Sequence, residues 1–222
     1  MKKRILPEAK LIRPELWDLI ERMTVKEDRV NSADSVSWHA YRDAEKLNDL
    51  SLIPEIEAYL QQKPPRWHRS AAYFILGKVG LNTKSEQCAN LLLSLLGGEP
   101  DKYALYNLLG RLEDILVASS VDPSPIFAFL HDQRWSVRHA AIRALRNTNS
   151  PHVEDEILQV IGTSSDKYDL SYCHSVLYRI GTSKSLPALQ EGLKSRKRDV
   201  KSTAKAAIQA ITERAALQHE NR

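Results

Sequence analysis

Hydrophobic residues recur along this chain every three to four positions rather than at every second position. This spacing predicts amphipathic α-helices, because residues i, i+3, i+4 and i+7 lie on one side of a helix. The chain has 8 glycines among 222 residues, where an average protein of this length has about twice as many. Both observations favour an all-α fold.

The helical segments repeat. Residues 68–80 (HRSAAYFILGKVG) align with residues 137–149 (VRHAAIRALRNTN), so that their small residues and one leucine coincide. Taken as a key position, this leucine has equivalents along the whole chain at intervals of 31 to 36 residues. The key positions are Ala44, Leu76, Leu109, Leu145, Leu177 and Ile208. A constant interval of this length predicts six stacked helix pairs.

Each unit also predicts a shorter helix between successive key positions. The five segments that carry these helices are residues 52–60, 85–96, 124–130, 153–161 and 185–193. The first unit departs from the others, because His39 and Asp43 fall on its expected core stripe. We therefore expect it to be a worn or capping repeat, since terminal repeats are often atypical.

The fullest copy of the repeat is V-R-x-A-A-x-x-A-L at residues 137–145, with Asp132 six residues before Arg138. This motif resembles HEAT repeats, particularly the short phycobilisome-lyase type, and the resemblance covers about residues 33–213. It implies a right-handed α-solenoid of about six HEAT-like helix pairs. It leaves the function open, because such arrays serve as scaffolds, adaptors, lyase subunits and DNA glycosylases.

One departure from the family pattern concerns its Asp-to-Arg ladder. Only the fourth unit, at Arg138, carries both members of the pattern, and we expect the ladder there alone. The equivalent positions in the other five units are Ser37, Arg69, Lys102, Leu170 and Lys201.

The resemblance and the residue pattern together predict three regions. Residues 1–32 hold a capping helix and its lead-in, because Leu16, Leu19, Ile20 and Met23 share one helix face; alternatively, this helix engages a partner. Residues 33–213 form one solenoid domain. Residues 214–222 form a polar tail that is expected to fray.

In this family the V-R-x-A-A helix is the second of each pair and lines the concave surface. Of the eighteen positions expected to face solvent there, six are basic and none is acidic. Tyrosines flank this line, so the sequence predicts a basic groove for an acidic partner. The predicted binding residues are Trp38, Arg42, Lys46, Phe74, Lys78, Tyr103, Tyr106, Arg111, His139, Arg143, Arg146 and Arg179. The alternative is that the tyrosines fill gaps between helices and the cations only solvate an exposed face.

Other candidate chemistry is weak. The two cysteines, Cys88 and Cys173, form no zinc-type spacing, and the seven histidines include no H-E-x-x-H pattern. We therefore expect no metal site and no cofactor, and we find no nucleophile motif, no phosphate-binding loop and no acid–base pair.

Two further features have structural interpretations. The basic run at residues 194–205 is expected to be a solvated cap, with contact to nucleic acid as the alternative. Trp38, Trp67 and Trp135 stand near the starts of second helices and are expected to pack one unit on the next.

The formal net charge is +4, and no apolar run approaches the roughly 20 residues that a membrane span requires. The basic N-terminus meets Pro7 and Glu8 before an apolar region develops, so no signal peptide is expected and a cytoplasmic location is favoured.

The favoured function is a non-catalytic interaction or scaffold protein that binds an acidic protein or peptide on the concave face. The alternative is a binder of nucleic-acid phosphates, in the extreme a HEAT-like DNA glycosylase for alkylated bases. The glycosylase is disfavoured because the predicted face carries Trp38 but no acid. A third possibility, a bilin-lyase-like subunit, rests on the repeat subtype alone. The oligomeric state and the identity of the partner stay open.

Overall fold

The computed structural model describes residues 12–28, 31–116, 120–148 and 150–220, with side chains up to residue 217. Throughout these ranges the fold is all-α and contains no strand. The α-helices are α1 (Pro14–Met23), α2 (Val36–Ala44), α3 (Leu52–Gln61), α4 (Arg66–Thr83), α5 (Glu86–Leu95), α6 (Lys102–Ile115), α7 (Trp135–Ala144), α8 (Pro151–Thr163), α9 (Lys167–Ile180), α10 (Leu186–Leu193) and α11 (Arg198–Glu220). None of the described helices has the length and apolar character needed to cross a bilayer.

The helices divide into two compact units, residues 1–115 and residues 116–222. The sequence predicts one solenoid domain over residues 33–213, and this stays a prediction beside the division into two compact units. The boundary lies just before the segment where the predicted helix 124–130 is replaced by a short 3-10 helix, Ser124–Phe129. Pro123 and Pro125 each lack a backbone N–H, which limits helix growth there.

Within each unit, helix pairs stack as the repeat pattern predicts. In unit 1, α4 packs on α5 and α6; in unit 2, α9 packs on α7, α8 and α11. Five of the six key positions, from Ala44 to Leu177, are completely buried, and Ile208 is half-buried. The predicted all-α architecture of repeated helix pairs is therefore confirmed.

Helix α1 packs on α2 and α4 through the apolar face that the sequence assigns to it. Leu16, Leu19, Ile20 and Met23 are all buried. At its C-terminal end, Arg22 Nη1 donates a hydrogen bond to Asp43 Oδ2 on α2 at 3.1 Å. This contact explains why the first repeat carries a carboxylate where the other repeats carry an apolar residue.

Helix α11 continues to Glu220, so the polar tail predicted for residues 214–222 is helical as far as residue 220. Arg214 supplies the physical reason, because its guanidinium donates hydrogen bonds to the carbonyl oxygens of Tyr178 at 2.7 Å and Gly181 at 2.8 Å. These carbonyls belong to the C-terminal end of α9, where helices leave acceptors unsatisfied. Arg214 thus joins the last turns of α11 to the preceding repeat.

A buried ion pair links two repeats of unit 1. Arg69 Nε and Nη2 donate to the two carboxylate oxygens of Glu99 at 2.7 and 2.6 Å, and the Tyr73 hydroxyl donates to Glu99 Oε2 at 2.7 Å. The Glu99 side chain is fully buried. The expectation that only Arg138 takes part in such a ladder is wrong. The acid that pairs with Arg69 lies in the chain between α5 and α6, outside the family motif.

We expect Ile20→Ala to destabilise unit 1 by about 2–4 kcal/mol, because it leaves a cavity under a docked helix. Urea unfolding followed by circular dichroism measures the change. Val25→Ala, at a position that is 44% exposed, is the matched control and should change the unfolding free energy by less than about 0.5 kcal/mol. Equal effects of the two substitutions would show that α1 is not docked in solution.

The Glu99 pair should make unit 1 sensitive to acid. Burial raises the pKa of Glu99, but hydrogen bonds from Arg69, Tyr73 and the Asp101 N–H lower it more, so its net pKa lies below the usual value. Its contribution is therefore complete above the unfolded-state pKa of about 4.3 and is lost as the pH falls through the lower folded-state pKa.

We expect Glu99→Gln to cost about 3 kcal/mol at neutral pH, because Arg69 loses its buried counter-charge. The cost should shrink as the pH falls below the unfolded-state pKa of about 4.3, because the unfolded wild type then takes up a proton that the folded ion pair excludes. Urea midpoints measured across this pH range provide the readout, with the exposed Glu57→Gln as control. A cost that does not change with pH would contradict the ion-pair assignment.

Candidate functional site

Two second helices of unit 1, α4 and α6, bring the predicted binding residues Phe74, Lys78 and Arg111 together, and α2 adds a tyrosine. Tyr41 on α2 contacts the Phe74 ring edge-on, with the centroids 4.8 Å apart. Lys78 Nζ lies 5.3 Å and Arg111 Cζ lies 5.2 Å from the ring centroid. Two cations from different helices therefore share one aromatic ring. We call these four residues the Phe74 cluster.

The close fit of Arg111 against α4 requires a glycine. A Cβ atom at Gly77 would lie 2.9 Å from Cβ and Cδ of Arg111. The aliphatic stem of Arg111 thus covers the backbone of α4, which directs the guanidinium towards Phe74. Arg111 Nη1 lies 3.7 Å from Oδ2 of Asp114 on the same helix.

A second aromatic group borders the Phe74 cluster. The Arg66 guanidinium lies 3.9 Å from the ring of Trp67 and 5.6 Å from the ring of Tyr103. Trp67 is 48% and Tyr103 55% exposed. The expectation that Trp67 packs one repeat on the next is therefore wrong. The Arg66 guanidinium thus lies next to both exposed rings.

A cavity of about 310 Å³ adjoins these rings. Its lining residues are Met23, Thr24, Val25, Lys26, Tyr41, Arg66, Trp67, Ser70, Tyr103 and Asn107. Asn107 Nδ2 donates a hydrogen bond to Ser70 Oγ at 3.2 Å across α6 and α4. The predicted solvent-facing lines of these two helices therefore adjoin each other. We call the Phe74 cluster and this cavity the unit 1 face.

The other predicted cations of unit 1 lie close to carboxylates, and the other predicted aromatic residues are exposed. Arg42 pairs with Glu45 at 2.6 Å and lies 5.5 Å from the ring of Trp38. Lys46 Nζ lies 3.9 Å from Asp43 Oδ1. Trp38 and Tyr106 are 44% and 40% exposed.

In unit 2, His139 is only 8% exposed, so its predicted solvent-facing position is wrong. Its ring lies 4.9 Å from Tyr172 and 5.5 Å from Trp135 between ring centroids. Its Nε2 lies 2.9 Å from Asp169 Oδ1. Burial lowers the pKa of His139 more than Asp169 raises it, which favours the neutral imidazole.

Arg138 connects α7 to the start of α9. Its Nε donates to Asp169 Oδ2 at 2.7 Å and its Nη2 to Asp166 Oδ2 at 3.1 Å. Its Nη1 donates to the backbone oxygen of Asp132 at 2.8 Å. The structural ladder role that the resemblance implies for Arg138 thus uses acids of the next repeat. Sequence reasoning missed these carboxylates as neighbours of His139, because they lie 27 and 30 residues further along the chain.

The remaining predicted cations of unit 2 differ in exposure. Arg143 and Arg146 are half-buried, and Arg179 is exposed. A cavity of about 240 Å³ is lined by Arg146, Ser175, Tyr178, Arg179, Thr203 and Ala206. Trp135 is 66% exposed, so it does not fill a gap between repeats as expected. Unit 2 thus combines exposed cations with buried carboxylates and is not a uniformly basic surface.

We expect His139 to titrate below the ordinary histidine pKa of about 6.5, because burial of the imidazole opposes its protonation. Two-dimensional ¹H–¹⁵N NMR of the ring nitrogens, with His139→Gln to assign the signal, measures this pKa. A pKa above about 6.5 would show that the attraction of Asp169 outweighs burial.

Comparisons with known proteins support the repeat architecture. Residues 123–211 match the family model described as HEAT repeats. The chain is similar to the crystal structure of an engineered protein, with a TM-score of 0.56 and 15% identity over 90% of this chain and 100% of that one. This likeness concerns the fold alone, and a comparison with curated proteins gave no match. The family match thus covers residues 123–211 of unit 2, and the repeat columns predicted from the sequence continue through unit 1.

Proposed function

We propose that this protein is a non-catalytic interaction module that binds an acidic segment of a partner protein on the unit 1 face. HEAT repeats in general mediate protein–protein interaction or scaffolding. The single observation that carries the proposal is the convergence of Lys78 and Arg111 on Phe74 from two helices.

The two cations suit a carboxylate. Their charged groups lie at similar distances from one ring, so an anion placed there interacts favourably with both. Arg111 presents a planar fork that can bind a carboxylate through two hydrogen bonds, whereas Lys78 acts as a point charge. The partly buried Arg111 stem keeps its guanidinium in place and lowers the entropy lost on binding.

The neighbouring cavity favours a protein over a nucleic acid. Exposed Trp, Tyr and Arg are the residue types that contribute most to protein interfaces. Trp67, Tyr103 and Arg66 meet at a cavity large enough for a side chain of the partner. We therefore place an apolar anchor of the partner at these rings and a carboxylate at the Phe74 cluster.

Binding to nucleic-acid phosphates is the competing function. It is favoured by the exposed cations at the start of α11 and in the turn before it. These residues are Arg196, Lys197, Arg198, Lys201 and Lys205. They are distant in sequence from the unit 1 face, so charge reversal can separate the two functions.

Fluorescence anisotropy with short labelled peptides tests the proposal. One peptide contains glutamates and a phenylalanine, a second contains glutamines in place of the glutamates, and a short DNA duplex is the third probe. We expect the acidic peptide to bind. Lys78→Glu with Arg111→Glu should weaken that binding at least tenfold, since an interface hot spot contributes about 2 kcal/mol or more.

Lys197→Glu with Lys201→Glu is the matched control, because it changes the net charge by the same amount. It should leave peptide binding unchanged. Equal loss in both double variants would mean that only net charge matters and would contradict a defined site. Binding to the duplex that falls steeply with salt and is lost in the control variant would instead establish the nucleic-acid function.

A further inference from the structure

Three metal-ligand side chains of unit 2 meet between α7 and the start of α9. We propose that His139, Asp166 and Asp169 form a binding site for a zinc-type divalent cation. One potential ligand atom from each residue lies within 4.8 Å of the other two. His139 Nε2 lies 2.9 Å from Asp169 Oδ1 and 3.9 Å from Asp166 Oδ2.

Two of these ligand atoms are buried without a hydrogen bond. His139 is 8% and Asp169 1% exposed. Nε2 of His139 and Oδ1 of Asp169 lie 2.9 Å apart, but this contact does not have the geometry of a hydrogen bond, and neither atom has another hydrogen-bond partner among the described residues. A buried polar atom without a partner is costly, and such atoms are rare in folded proteins. A cation bound between them satisfies both atoms at once.

The surrounding residues hold the carboxylates in place. Arg138 Nε and Ser164 Oγ both donate to Asp169 Oδ2 at 2.7 Å, which leaves Oδ1 directed at His139. The backbone N–H of Tyr168 donates to Asp166 Oδ1 at 2.9 Å. Metal-binding carboxylates are commonly fixed in this way by hydrogen bonds from a surrounding layer of residues.

The distances and the charge suit zinc. Bonds of about 2.0–2.1 Å in a tetrahedron separate the ligand atoms by roughly 3.3 Å, and the two measured separations bracket this value. An imidazole nitrogen favours zinc over magnesium or calcium, which prefer oxygen ligands. Two carboxylates and the Arg138 guanidinium give a net charge of −1, which attracts a divalent cation. The three protein ligands leave the fourth tetrahedral position for water.

A cavity of about 500 Å³ gives access to the two carboxylates. It is lined in part by Arg138, Asp166 and Asp169, and also by the exposed His131. A cation bound here joins α7 to α9 and so fixes one repeat to the next. The site lies entirely in unit 2 and does not depend on the function proposed for the unit 1 face.

Isothermal titration of the metal-free full-length protein with zinc chloride tests the site, and cobalt chloride provides a visible absorption spectrum that reports tetrahedral coordination. We expect one zinc ion to bind per protein chain and to raise the unfolding temperature of the protein. His139→Gln and Asp169→Asn should each weaken zinc binding at least about tenfold, as losses around metal sites commonly do. Both should also remove the tetrahedral cobalt spectrum.

His131→Ala is the matched control, because it removes an exposed histidine from the same cavity and leaves the three ligands intact. It should not change zinc affinity. If Asp169→Asn fails to fold, the more exposed Asp166→Asn provides the same test. Absence of zinc binding to the wild type, loss in the His131 variant alone, or equal affinity for magnesium and zinc would each overturn the proposal.

Discussion

Close packing between the second helices of consecutive repeats is the interaction on which the rest of the structure depends. A single helix pair cannot bury its apolar stripe alone, so each repeat needs a neighbour. Buried alanines such as Ala71, Ala104, Ala140 and Ala204 allow these helices to approach closely. The same approach places polar residues of successive helices next to each other, which creates the faces on which binding is proposed.

Ion pairs between repeats add specificity to this packing. Arg69 with Glu99 and Arg138 with Asp169 each join one repeat to the next through a carboxylate that is almost completely buried. Burial of a charge is costly without a partner, and a displaced repeat would leave these charges unpaired. We infer that the pairs fix how the helices are aligned, more than they add to stability.

The solvent-facing line of the second helices carries different chemistry in the two units. In unit 1 the exposed line carries Lys78 and Arg111 against an aromatic ring, and the nearby acid Glu99 is fully engaged by Arg69. In unit 2 the same line carries His139, and the acid that serves the ladder, Asp169, keeps one oxygen for the histidine. One repeat pattern thus underlies the anion site proposed for unit 1 and the cation site proposed for unit 2.

The sequence by itself determined most of the helices, the repeat interval and the buried key positions. The periodicity of hydrophobic residues shows which side of a helix is apolar. It depends only on residues within that helix, so it can be recognised without knowing which helices pack against it. For that reason the key positions and the buried face of α1 could be read directly from the chain.

Only the tertiary structure decided which distant side chains meet. Helix packing pairs Arg69 with Glu99 and buries His139 against Asp169. It also leaves Trp135 exposed and brings Arg214 into contact with α9. These outcomes depend on side-chain length and helix spacing to within about an ångström. A hydrophobic pattern fixes which face of a helix is buried, but it does not fix distances between residues about thirty positions apart.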